Sequence, residues 1–182
     1  MSHDEPPHGD EYAEYYGKYI ALVPEGDIVA ILATQLDDTL ALLRELSDAD
    51  ARYAYAPGKW SVKEVIGHLA DTERILAYRM LRFSRGDATP LPSFDENHYA
   101  AAGGFTNRKL PSLLAEMTAV RSATIALLAG LPRDVWRREG IASGWPVSVR
   151  AIAWIIAGHE LHHRAILAER YLTRSEAPSA IH

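Results

Sequence analysis

Three of the chain's eight histidines fall within five residues, in the stretch HELHH at 159–163. A neutral imidazole can ligate a metal, relay a proton, or sit in a core satisfied by a hydrogen bond. If the stretch is helical, His159 and His163 lie one turn apart, so both rings reach one point above the same groove. That is how a helix offers two nitrogens to a single ion, as in the H-E-x-x-H helix of zinc proteases. The five-residue motif is short, however. A zinc protease also needs a ligand downstream, and only His182 follows.

The surrounding residues say how these rings are presented. Advancing about 100° per residue puts Ile152, Ile155, Ile156, Ile166 and Leu167 on one broad face. His159 and His163 fall near the middle of that face, His162 at its edge, and Glu160 off it. An unpartnered buried imidazole costs about 1–3 kcal/mol, and shared ligation relieves both rings at once. A third ligand has to come from another helix. His68, in GHLADTE, lies beside Val65, Thr72 and Ile75 at the flank of a core stripe, a position that allows it to face an inter-helix pocket without demanding it.

Four helical patterns position these groups. The first, DIVAILATQLDDTLALLREL, repeats Ile28, Leu32, Leu36, Leu40, Leu43 and Leu46 at spacings of three and four, with Asp27 as N-cap. The second starts at Trp60 with a capping-box pair, Ser61 and Glu64, and ends at Gly86. The third runs from Leu110, with Pro111 in its first turn, to Gly130 and Pro132. The fourth starts near Ser148 and runs through the histidines to about Leu172. No segment alternates with period two, so the expected class is all-α.

The fourteen residues SDADARYAYAPGKW join the first two helices and predict antiparallel neighbours. DATPLPSFDENHYAAAGGFTNRK, between the second and third, is long for a structureless connection and is expected to be functional or to hold a short helix around FDENHYAAA. The expected organisation is an N-terminal extension at 1–25, partly ordered and anchored by Tyr12, Tyr15, Tyr16 and Tyr19. A bundle at 26–174 and a tail at 175–182 follow.

Composition narrows the function classes. Hydrophobic residues make up 48% and charged residues 24%, ordinary for a globular domain. A net charge of -5, with Lys and Arg scattered among acids, argues against a nucleic-acid partner. No apolar h-region opens the chain and no run approaches a membrane span, so the expectation is a cytoplasmic protein without a membrane partner. The chain has no cysteine, so any thiol chemistry must use sulfur brought by another molecule.

PGKWSVKEVIGHLADTE, AVRSATIALLAGL and GHELHHRAIL together resemble the DinB-like superfamily, in particular its YfiT-type metal-dependent hydrolases. The similarity runs from about Tyr19 to Leu172. It implies a four-helix bundle of up-down-down-up topology, a homodimer, and a metal triad of His68, His159 and His163. It also implies a small-molecule substrate, with either hydrolysis or transfer of a low-molecular-weight thiol to a small electrophile. A non-catalytic, metal-stabilised bundle acting in binding or stress response is the competing class.

Three neutral imidazoles leave a divalent ion (zinc, nickel, iron or manganese) its full charge and an open position. His162, Glu73, Asp71, Asp95, Glu96 and His98 are candidates for orienting ligands or moving a proton, and otherwise solvated surface. Tyr99 and Trp145 could line a pocket mouth, and Trp60 reads as a staple at its helix start. A second apolar stripe on the last helix (Trp154, Ala157, Leu161, Ala165 and Ala168) must be buried by a second subunit or by the tyrosine-rich N-terminal segment.

Overall fold

A computed structural model describes residues 5–172 of the chain, so the tail at 175–182 and His182 lie outside the described residues. It contains six α-helices: α1 (Gly17–Ile20), α2 (Ile28–Leu43), α3 (Val62–Ser84), α4 (Glu96–Ala102), α5 (Leu110–Ala129) and α6 (Val149–Ile166). Their starts follow the local chemistry. Asp27 accepts from the Val29 amide, Ser61 and Glu64 cap α3 reciprocally, and Ser148 accepts from the Ala151 amide. The long connection does contain a short helix, α4, capped by the Asp95 carboxylate on the Asn97 and His98 amides. After α6 the helix continues as a π-helical stretch, Leu167–Leu172.

The long helices α2, α3, α5 and α6 form the bundle. α2 packs chiefly on α5 and α6, and so does α3. The consecutive helices α2 and α3 therefore stand across the bundle from each other, contrary to the antiparallel neighbours their linker suggested. That linker spends residues on a 3₁₀ turn at Asp50–Arg52 packed against α3, which gives the chain enough length to cross.

The expectation of no strands also needs a correction. β1 (Glu139–Ala142) and β2 (Trp145–Ser148) form a hairpin around Ser143 and Gly144, at φ of 55° and 84°. Positive φ at both central residues is what a tight two-residue hairpin turn requires. Four-residue strands, one containing Pro146, are too short to display alternation.

The N-terminal segment is part of the packed body. Tyr12 and Tyr16 pack against the core, Tyr19 is buried, and Tyr15 is exposed. α1 lies on α6, where Gly158 permits the approach: a Cβ there would meet the Tyr19 carbonyl oxygen at 2.1 Å. Upstream, the buried Glu11 carboxylate accepts from Ser148 Oγ at 2.7 Å and pairs with Arg150. Trp154 and Ala157, two of the five residues of the second stripe on α6, are thereby fully buried, while Leu161 is half-buried and Ala165 and Ala168 are exposed. α5, with a mean hydropathy of 1.3, has the length and composition of a membrane span. It nevertheless serves as a bundle helix whose Arg121 is buried among the other three.

Candidate metal centre

His68 on α3 and the His159–His163 pair on α6 meet in the bundle interior. The Nε2 atoms of His68 and His159 are 3.1 Å apart, as are those of His163 and His159. One ring nitrogen from each residue lies within 4.8 Å of the other two. Two nitrogens bound tetrahedrally to one zinc ion, each about 2.0–2.1 Å away, stand about 3.3 Å apart. The donor set and its spacing therefore fit a divalent ion, and no carboxylate joins the cluster among the described residues.

The electrostatics agree. Burial pushes His68 down to about 4. Burial, then the neighbouring His68 and His162, hold His163 at about 3, and burial holds His159 well below its ordinary value. All three rings are therefore neutral at physiological pH, the form that ligates. His68 Nδ1 lies 3.4 Å from Thr72 Oγ1 one turn on, a contact that fixes which nitrogen faces inward.

Aromatic rings wall the cluster. Trp60, expected only as a helix-start staple, packs on His68 with centroids 4.6 Å apart and stacks on His163 at 6.5 Å. Tyr19 stands edge-on to His159 and His162, at 5.5 and 5.3 Å. His162 stands against both Tyr19 and the His163 ring, 5.2 Å away, but is not among the three clustered nitrogens. His159 and His68 are buried, and His163 forms the half-buried, outward side of the cluster.

Beside the histidines lies a second polar cluster. Arg121 donates to both oxygens of Glu73 (2.9 and 2.8 Å), to Glu160 Oε2 (2.7 Å) and to the Leu32 carbonyl (2.9 Å). Glu160 also accepts from Gln35 Nε2 (2.9 Å) and from Thr39 Oγ1 (2.6 Å). Glu73 is therefore buried in an ion pair rather than solvated, and Glu160, which does point away from the metal face, is tied to α2 and α5. Sequence reasoning missed this network. The available signal was charge at core spacing, since Arg121 follows Met117 by four and precedes Thr124 by three.

The remaining candidates stand apart from the cluster. Asp95 caps α4, and Tyr99 packs on Phe94 at 5.2 Å while remaining exposed. Asp71 pairs with Arg74 at 3.4 Å, Glu96 and His98 are exposed on α4, and Trp145 is exposed on the hairpin.

Two helices of this four-helix bundle bring three neutral imidazoles to one point, a donor set that could hold a metal ion. The family model of the DinB superfamily matches residues 31–167, and the chain belongs to that superfamily. A curated protein of Oceanobacillus iheyensis, named "Putative metal-dependent hydrolase", is 22% identical over 125 residues, covering 68% of this chain and 71% of that protein. Among solved structures, YfiT from Bacillus subtilis, described as a probable metal-dependent hydrolase with an unusual four-helix bundle topology, superposes with a TM-score of 0.67. Its identity is 20%, with 91% of each chain covered. A mycothiol-dependent maleylpyruvate isomerase matches at a TM-score of 0.65 and 15% identity, over 76% of this chain. The match spans 58% of that isomerase's length. At such identities these structures establish the shared fold.

Proposed function

We propose that His68, His159 and His163 hold one divalent ion and that the protein is a metal-dependent enzyme transferring a low-molecular-weight thiol to a small electrophile. The observation that carries this reading is the convergence of three neutral imidazoles in a chain without cysteine. Bound there, a divalent ion would keep its full charge and favour the deprotonated form of a thiol or of water. Zinc, nickel, iron and manganese all suit the nitrogen donors.

The protein's own residues bias the choice between the two nucleophiles. Hydrolysis benefits from a nearby carboxylate base, yet both carboxylates beside the cluster, Glu73 and Glu160, are already engaged by Arg121. A thiol that arrives acidic enough to ionise needs no such base. Trp60 packs on His68 and His163, while Tyr19, its hydroxyl kept protonated above its ordinary range by burial, stands edge-on to the opposite rings. In the transfer, the thiol gives up its proton to solvent and its sulfur forms a bond to carbon; the carbon–halogen bond breaks with halide leaving with the electron pair, or the epoxide carbon–oxygen bond breaks and the ring oxygen keeps the pair and takes up a proton from solvent.

Hydrolysis is the second reading, favoured by the descriptions of the Oceanobacillus and Bacillus relatives. The isomerase named for its mycothiol dependence favours the first. We further place the protein in the cytoplasm as a homodimer meeting through the exposed end of the α6 stripe. The test is a panel assay with metal-loaded protein. Acceleration of thiol conjugation to an epoxide or haloarene, abolished by a chelator, supports transfer. Turnover of esters or amides with no thiol conjugation overturns it in favour of hydrolysis.

A further inference from the structure

We infer that the N-terminal segment Tyr15–Tyr19 forms an anion-recognition wall of the metal centre, with Lys18 taking a carboxylate or similar anionic group of the thiol ligand. The inference rests on the metal-centre reading above and names the class of ligand that site would select.

Lys18 is exposed, yet its ammonium is not free to wander. It lies over the Tyr15 ring at 3.8 Å from the centroid and 4.8 Å from that of Tyr19. Cation–π contact of this kind restrains a lysine that would otherwise sample many rotamers. The Tyr19 ring in turn stands against His159 and His162, so one aromatic ring separates the ammonium from the metal face of α6.

Three further observations separate this arrangement from an ordinary solvated lysine. Among the described residues Lys18 has no acidic partner within ion-pair distance, so its charge is available. Glu96, whose field reaches the same Tyr19 hydroxyl, does not pair with it. The segment is also anchored on both sides. Upstream, Glu11 is locked to Ser148 and Arg150, and at Tyr19 itself the backbone sits against Gly158. Finally, the Tyr15 and Tyr19 hydroxyls lie 3.3 Å apart, so their hydrogens and lone pairs are presented together beside the ammonium.

A ligand carrying a thiol at one end and an anion a few bonds away would use both features. Its sulfur would go to the histidine cluster and its negative group to Lys18 and the tyrosine hydroxyls. A neutral thiol would use only the first.

The test uses the full-length protein loaded with cobalt(II), whose visible bands report metal coordination and whose near-ultraviolet sulfur-to-cobalt band reports thiolate binding. The probes are 3-mercaptopropionate, which carries a carboxylate, and 2-mercaptoethanol, which does not. The expected result is tighter binding of 3-mercaptopropionate, a preference that shrinks as salt rises. Lys18→Gln should weaken 3-mercaptopropionate about three- to tenfold while leaving 2-mercaptoethanol unchanged. Lys18→Arg should keep most of the preference. Equal loss for both thiols, or no loss for either, overturns the inference while the cobalt bands leave the metal centre standing. Failure of the wild-type protein to take up cobalt, or to show the sulfur band with either thiol, overturns the reading beneath it and this inference together.

Discussion

Two polar clusters sit side by side in the same bundle interior, and they are built on opposite principles. Around Arg121, carboxylates from α3 and α6 and a backbone carbonyl of α2 supply a partner for each guanidinium nitrogen, and Glu160 is met by Gln35 and Thr39 as well. At the histidines, three nitrogens face one another with no acid among them. The clusters abut at a cavity of about 10 Å³ lined by Glu73, Arg121, His159 and Glu160. Adjacent residues of α6, His159 and Glu160, belong one to each. A buried polar group has to be satisfied. Where the protein supplies every partner, the cluster is architecture. Where it supplies only nitrogen donors of one kind, the proposed metal ion would be their common partner.

The largest effect is expected at Arg121. Removing one partner of a buried ionic network strands the other charges, at a cost of about 3–5 kcal/mol. Arg121→Met should therefore lower the melting temperature by about 6–20 °C, measured with or without added metal. Replacing Arg121, Glu73 and Glu160 together by apolar residues should recover much of that loss, because no charge is then left buried alone. A single variant of near wild-type stability would mean the network is not structural. The histidine cluster should respond in the reverse way. His159→Ala should reduce metal affinity at least about 100-fold, read by metal analysis after dialysis, at a smaller cost to the metal-free fold. His162→Ala should keep about one ion per chain, since that ring faces Tyr19. Equal occupancy in the two variants would move the ligand assignment within 159–163.

Legibility in the sequence differed between the two clusters for a physical reason. The histidines could be assembled from local spacing, because His159 and His163 are a helical turn apart and His68 falls inside the other capped helix. The ion network could not, because its links join residues 48 and 39 positions apart, and each charge alone reads as surface. Helix starts were readable at Asp27, Ser61 and Ser148, where the capping chemistry is local. The diagonal placement of α2 and α3 was not, since a linker of that length reaches either a neighbour or the far side. The role of Trp60 was half visible: its position at the start of α3 is local, but its ring meets His163 from another helix.

A third region, the N-terminal segment, shows how the histidine side is kept in place. Gly158→Ala forces a methyl group onto the Tyr19 carbonyl and should cost about 1–3 kcal/mol, with faster hydrogen exchange across 17–23. Acid should have a milder effect at Glu11. Burial alone would raise that carboxyl, but bonds from Arg150, the His8 amide and Ser148 outweigh it and hold it below the usual 4.5. Its contribution is therefore present above that value and is lost as pH falls through the lowered one. Exchange in residues 14–23 should accelerate below about pH 4.5 before the bundle core loosens, and Glu11→Gln should abolish that step. An unchanged acid profile in the variant would show that another group governs the release.

The smallest effect on the fold is expected at the exposed end of the α6 stripe. Trp154 and Ala157 are already buried beneath α1, which leaves Leu161, Ala165 and Ala168 for a second subunit. Leu161 borders a groove with Pro24, Ile31 and Thr34, flanked by the Asp38–Arg164 ion pair at 3.1 Å. The small side chains of Ala165 and Ala168 would let a two-fold partner approach closely. Leu161→Arg adds charge at a half-exposed position, so its cost to the folded monomer should stay within about 0.5 kcal/mol. If the groove is the dimer interface, light scattering at micromolar concentration should nevertheless show the variant as a monomer and the wild type as a dimer. Metal occupancy should be equal in both, because none of His68, His159 and His163 lines that groove. A monomeric wild type removes the dimer proposal and leaves only Trp154 and Ala157 of the stripe covered. A variant that loses its metal on becoming monomeric would show that the histidine cluster draws support from across the interface, and that the two clusters differ in more than their internal partners.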